Sequence, residues 1–152
     1  MHIINSLEEY KSLEGTIIGS SPWHTIDQDQ INKFADVTLD HQWIHVDSHR
    51  AAAESPYGST IAHGYLTLSL IPYLWKQIAD VRNVSLEINY GIENLKFGIP
   101  VKVDSEVSLQ ATIKSVNDMR GIVKVIVGAR LLLRDESKPV YTGNVVFLYH
   151  FK

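Results

Sequence analysis

Gly64-Tyr65-Leu66-Thr67-Leu68-Ser69-Leu70-Ile71-Pro72-Tyr73-Leu74-Trp75 is the stretch on which the fold class turns. Its apolar residues fall all round a helical wheel rather than on one stripe. A helix of that kind is stable only when it is covered on most sides. Pro72 stands in its interior, lacks an amide hydrogen and crowds the turn before it, which predicts a kink. The wider apolar stretch 61–79 also holds His63, Gly64 and Lys76. Its uninterrupted run is too short to span a bilayer, so it reads as a buried helix.

Toward the C-terminus the period changes from helical to two. Leu86, Ile88 and Tyr90 alternate with polar neighbours from Val84 on. Val107, Leu109, Ala111 and Ile113 repeat the pattern, as do Val123, Val125, Val127, Ala129, Leu131 and Leu133, and a last strand covers Val140–His150. Asn117–Gly121 and Asp135–Pro139 have the composition of hairpin connections. One very apolar helix followed by an antiparallel meander predicts an α+β fold, a sheet wrapped around a central helix.

Toward the N-terminus the chain reads as helical. Asp27 is placed to cap a helix and Gln30 to complete a capping box. Ile31, Phe34 and Ala35 share one face, and the helix should end near Val37-Thr38. A helical turn is expected over Ser48–Ala53, followed by a Pro- and Gly-containing loop at 54–59. No repeat, low-complexity tract or linker divides the 152 residues, so residues 1–152 read as a single domain with one core.

Composition narrows the chemistry. The net charge is −3 and there is no basic excess, which argues against nucleic acid as a partner. There is no cysteine, so disulfides, thiolate metal sites and a cysteine nucleophile are excluded. That absence, and an N-terminus without a basic and then apolar leader, set the expectation of a cytoplasmic protein with no membrane partner.

The densest polar cluster is Asp40-His41-Gln42-Trp43-Ile44-His45-Val46-Asp47, just after a helix. Asp40 and His45 are candidates for an acid–base pair, because histidine titrates near neutrality and a nearby carboxylate can orient and tune it. A solvated loop whose Asp accepts backbone N–H bonds suits the same residues, and spacing alone does not separate the two. His41 and His45 have metal-ligand spacing, but Gln42 stands where a zinc protease needs Glu and no third ligand is evident, so no metal is expected. At Ile61-Ala62-His63-Gly64, glycine opens the apolar helix and would let a ligand approach backbone N–H groups; it also suits close helix–sheet packing. Asn89 and Tyr90 can line a pocket or simply pack.

Phe34–Asp47, Thr60–Leu70 and Asn89–Phe97, taken together and in this order, resemble the MaoC-like dehydratase family, especially its nodulation protein N branch. The resemblance runs over nearly the whole chain after about residue 15. It implies a hotdog fold, in which an antiparallel sheet wraps a long helix, and a homodimer. It also implies an (R)-specific enoyl-CoA hydratase activity. The family motif D-x-N-P-[IL]-H places its aspartate at Asp40 and its histidine at His45, and the oxyanion-binding glycine at Gly64. Trp43, His63, Asn89 and Tyr90 are the expected substrate contacts, although His63 by its type reads as a hydrogen-bonded structural histidine rather than a catalyst. No cofactor is implied, and coenzyme A or a carrier's pantetheine arm would belong to the substrate. Gln42-Trp43 departs from the usual Asn-Pro, and Pro72 stands where some hydratases carry serine. A hotdog thioesterase and a non-catalytic acyl-thioester-binding protein are the competing readings.

Overall fold

In a computed structural model, which describes residues 1–152, the first half of the chain runs β1 (His2–Ile4), α1 (Leu7–Ser12), β2 (Ile17–Ser20), β3 (His24–Ile26), α2 (Gln28–Thr38), α3 (Trp43–Val46), α4 (Ser48–Glu54), α5 (Gly64–Ser69) and α6 (Ile71–Ile78). It continues as β4 (Ala79–Val81), β5 (Val84–Phe97), β6 (Ser105–Asp118), β7 (Val123–Leu133) and β8 (Tyr141–Phe151). The main sheet is antiparallel, in the order β2-β6-β7-β8-β5, with β3 also on β6; β1 and β4 form a small parallel pair.

The period-two pattern becomes a buried face. Leu109, Leu131 and Tyr141 stand in register across β6, β7 and β8, as do Val125 and Phe147 across β7 and β8. These side chains share one core with Leu66 of α5, Ile71, Leu74, Trp75 and Ile78 of α6, and Leu70 between the two helices. Fully burying each large aliphatic side chain contributes roughly 1.5–3 kcal/mol. The expected turns close the hairpins, with Arg120 (φ 62°), Gly121 (φ 95°) and Asp135 (φ 65°) in the left-handed region. The result is the expected α+β hotdog arrangement.

Four features differ from expectation. The central helix is not continuous: it divides at Leu70, and Pro72 falls in the first turn of α6. There its missing N–H has no intrahelical acceptor to lose. Second, Leu86 and Tyr90 are 51% and 64% exposed. Their strand, β5, is an edge strand, and its register with β8 breaks at three places. Third, β1, β2 and β3 interrupt the half read as helical. They have only three or four residues each, too few to display a period. Fourth, Asp27 caps α2 as expected, accepting from the Gln30 amide at 2.8 Å, but the Gln30 side chain bonds His24 Nε2 instead of completing the box. No helix is long and apolar enough to cross a membrane.

Candidate active site

Asp40 and His45 reach one place through two local devices. Leu39 adopts a left-handed conformation (φ 64°) and ends α2, so Asp40 opens an irregular link with a 54% exposed side chain. The short turn α3 then carries the His45 ring inward, to 8% exposure. Trp43 occupies the first helical position of α3, the position a proline suits best. The turn therefore forms without the motif's proline.

His45 is fixed from both sides. Its Nδ1 lies 2.7 Å from the Ile61 carbonyl oxygen. A carbonyl only accepts, so Nδ1 carries the hydrogen and Nε2 presents a lone pair. The His45 carbonyl accepts from Gln28 Nε2 at 2.8 Å, and Thr60 Oγ1 donates to Gln28 Oε1 at 2.5 Å. Gln28 and Thr60 are site-building residues that sequence reasoning missed. Gln28 reads locally as a first-turn helix residue, and nothing in the sequence links it to a threonine 32 positions on.

His63 lies beneath this pair. It is 3% exposed, and its ring stacks on His45 with centroids 3.9 Å apart and planes 24° apart. Its Nε2 is 3.0 Å from the Asp40 carbonyl oxygen and 4.0 Å from Asp40 Oδ2. One polar atom from each of Asp40, His45 and His63 lies within 4.8 Å of the others. Burial pushes the His45 imidazole below the ordinary histidine value; the Ile61 carbonyl opposes this, stacked His63 adds to it, and Asp40 opposes it. His45 is thus a neutral base at neutral pH.

His45 Nδ1 and His63 Nε2 are both engaged by carbonyl oxygens, which leaves His45 Nε2 and His63 Nδ1 as the free nitrogens of the cluster. Imidazole lone pairs lie in the ring planes, and two stacked, nearly parallel rings do not aim them at a common point. His41 points elsewhere, bonding Asp36 at 2.8 Å on the surface.

Gly64 opens α5 directly after His63. Leu66 and Thr67 bond back to the His63 carbonyl at this end. A cavity of about 230 Å³ faces it, lined by His45, Gly64, Thr67, Phe97, Val101 and Val140 among others. A Cβ on residue 64 would stand 3.0 Å from Phe97 Cε1, so glycine keeps the helix start open to this cavity. The structure therefore gathers Asp40, His45, His63 and Gly64. Of these, His45 and Gly64 line the cavity, while Asp40 and His63 stand beside His45 without lining it; the other expected contacts lie elsewhere. Trp43 lies beneath the Arg50 guanidinium, 4.3 Å from its ring centroid. Asn89 and Tyr90 line a separate groove of about 430 Å³ with Leu68, Pro72 and Phe147.

Comparison with known proteins bears on the family and the fold. The family model described as MaoC like domain matches residues 10–133. The chain is 40% identical over 150 residues to 3-hydroxyacyl-thioester dehydratase Z of Mycobacterium tuberculosis, covering 98% of this chain and 99% of that protein. It is 40% identical over 153 residues to Nodulation protein N of Rhizobium meliloti, covering 99% and 94%. Among solved structures, the unliganded R-hydratase PhaJ1 from Pseudomonas aeruginosa superimposes with a TM-score of 0.74 at 22% identity, over 94% of this chain and 86% of that one, which shows a shared fold. The chain belongs to the MaoC-like dehydratase family.

Proposed function

We propose that the protein adds water to trans-2-enoyl thioesters to give (R)-3-hydroxyacyl thioesters, and catalyses the reverse dehydration. The observation that carries this reading is the neutral His45, with a ring nitrogen within 4.8 Å of the exposed Asp40 carboxylate, lining a cavity that reaches Gly64. Asp40 and His45 hold a water, and its proton passes to this pair as the water oxygen bonds C3. The C2–C3 π electrons move toward the thioester carbonyl, whose developing oxyanion meets the Gly64 N–H. The enolate then collapses as C2 takes the proton that the pair received, which restores the pair. Every step uses only this chain's own groups, with no metal or redox cofactor, and coenzyme A or a carrier's pantetheine arm enters as part of the substrate.

The reading extends to a homodimer in the cytoplasm. β5 is an unpaired edge of 14 residues that exposes Leu86, Tyr90, Ile92 and Phe97, the kind of edge that pairs with another strand. Asn89 and Tyr90 would then meet substrate through that pairing. Purified protein should consume crotonyl-CoA or a longer enoyl-CoA, followed by loss of the enoyl absorbance. Unchanged absorbance across a panel of enoyl thioesters defeats the proposal, and thiol release without loss of the double bond assigns a thioesterase instead. Light scattering should give twice the 17.2 kDa chain mass.

A further inference from the structure

His63 occupies a position that packing alone does not explain. It is the N-cap residue of α5, yet its side chain makes no cap bond to that helix. The ring instead crosses to His45 and to Phe34, whose ring centroid is 5.0 Å away. Its Nε2 faces the Asp40 carbonyl oxygen at 3.0 Å, so Nε2 carries the hydrogen. Nδ1 is then a bare acceptor, and it is buried with no partner. A phenylalanine would fill the same space without an orphaned nitrogen, which is costly to bury. What histidine adds is a single donated hydrogen bond, and it is spent on Asp40.

Asp40 has little else to hold it. It follows a left-handed residue, and the other hydrogen bond to it is a 3.4 Å one from the Gln42 amide to Oδ1. His63 is also covalently joined to Gly64. One residue therefore ties the segment that carries the carboxylate to the amide that would receive the thioester oxyanion. It holds the plane of the base between them as well.

We infer that His63 is a positioning residue, setting the separation of Asp40, His45 and the Gly64 N–H, rather than a substrate contact. The inference rests on the hydratase reading above. Its physical content is a fixed tautomer and a tethered Asp40, and both can be read without turnover.

The test uses the full chain, with His63→Phe and His63→Gln. Phenylalanine keeps the ring stack and removes the donor; glutamine restores an N–H donor without the ring. On an enoyl-CoA that the wild type hydrates, His63→Phe should lower kcat by about 10²-fold, the scale of a misplaced reacting group, with KM within about twofold. His63→Gln should recover most of that loss. A loss confined to KM, or one that only follows the folded fraction in a melting curve, overturns the inference in favour of packing. So does equal loss in the two variants. In parallel, imidazole nitrogen shifts of the labelled wild type should show His63 as the Nε2–H tautomer, and Asp40 should become more mobile in His63→Phe. An Nδ1–H tautomer overturns the inference whether or not any thioester is turned over. Absence of turnover with the Nε2–H tautomer and the tethered Asp40 present counts against the hydratase reading alone.

Discussion

The two ends of the central helix each bury a polar cluster, and burial has opposite consequences there. At the α5 end, His63 and His45 stack beside Asp40. At the α6 end, Trp75 Nε1 donates to the Tyr149 hydroxyl at 3.1 Å, with the Tyr10 ring 5.6 Å away and Glu87 directly across the β5–β8 register. Burial drives the Tyr10 and Tyr149 phenols far above their usual range and drives the His45 imidazole down. Each shift favours the neutral form. A neutral phenol held from ionising has nothing to offer at neutral pH. A neutral imidazole held from protonation is a base with a free lone pair. Access differs in the same sense. Tyr10, Tyr149 and Trp75 are at most 1% exposed, whereas Asp40 remains open. A buried polar cluster therefore indicates function only where its favoured protonation state is the reactive one and one member meets solvent.

The largest effects should break the comparison or secure it. Asp40→Asn and His45→Gln should each lower the hydration rate by about 10³-fold, within the range of general acid–base catalysis. Tyr149→Phe should leave the rate per folded molecule unchanged. A comparable rate loss in Tyr149→Phe would remove the distinction between the two ends.

Stability should show the mirror image. Tyr149→Phe leaves the buried Trp75 Nε1 without its acceptor, which costs about 1–3 kcal/mol. For a chain of this size that lowers Tm by roughly 2–4 °C per kcal/mol. Asp40→Asn changes an exposed side chain and should stay within about 0.5 kcal/mol of wild type in a denaturant titration.

What the sequence disclosed depends on the range of the interactions involved. Period and turn chemistry are local, so the buried helix, β6, β7, β8 and their hairpins were legible, and so was the Asp27 cap. The candidates Asp40, His45 and Gly64 were legible through their motifs, and the fold brings them together. Gln28 and Thr60 were not, because their bonds close over the tertiary fold. The exposure of Leu86 and Tyr90 was not, because period two reports a strand and not whether a neighbour lies beyond it. The inward turn of His45 was not, because it depends on left-handed Leu39 followed by four residues of helix, too short to show a period.

Gln28→Ala probes the invisible part at intermediate scale. It removes the bond to the His45 carbonyl and leaves the Thr60 hydroxyl without its acceptor. Each net hydrogen bond is worth about 1 kcal/mol, so losing the two should lower stability by about 2 kcal/mol and the rate by up to about tenfold. A stability loss with no change in rate would mean that His45 is held by Ile61 alone.

The smallest effect is a pH slope that should exist at one end of the helix and not at the other. The folded His45 pKa lies below its ordinary value of 6.5. The unfolded chain therefore binds the proton more readily than the folded one between those two values. Stability rises with pH wherever the unfolded state holds more protons. The neutral His45 should thus impose no penalty above pH 6.5, and stability should fall as the pH drops below 6.5 toward the folded value, then level off. Subtracting the His45→Gln stability profile from that of the wild type isolates this slope from the other histidines. The acid limb of kcat/KM should lie below 6.5 for the same reason, since the reactive form persists to lower pH. Tyr149→Phe should leave both profiles parallel to wild type across this window. An acid limb above 6.5 would mean that the Asp40 charge outweighs burial at His45, and the two ends of the helix would then differ in the sign of the field and not only in the chemistry of the buried group.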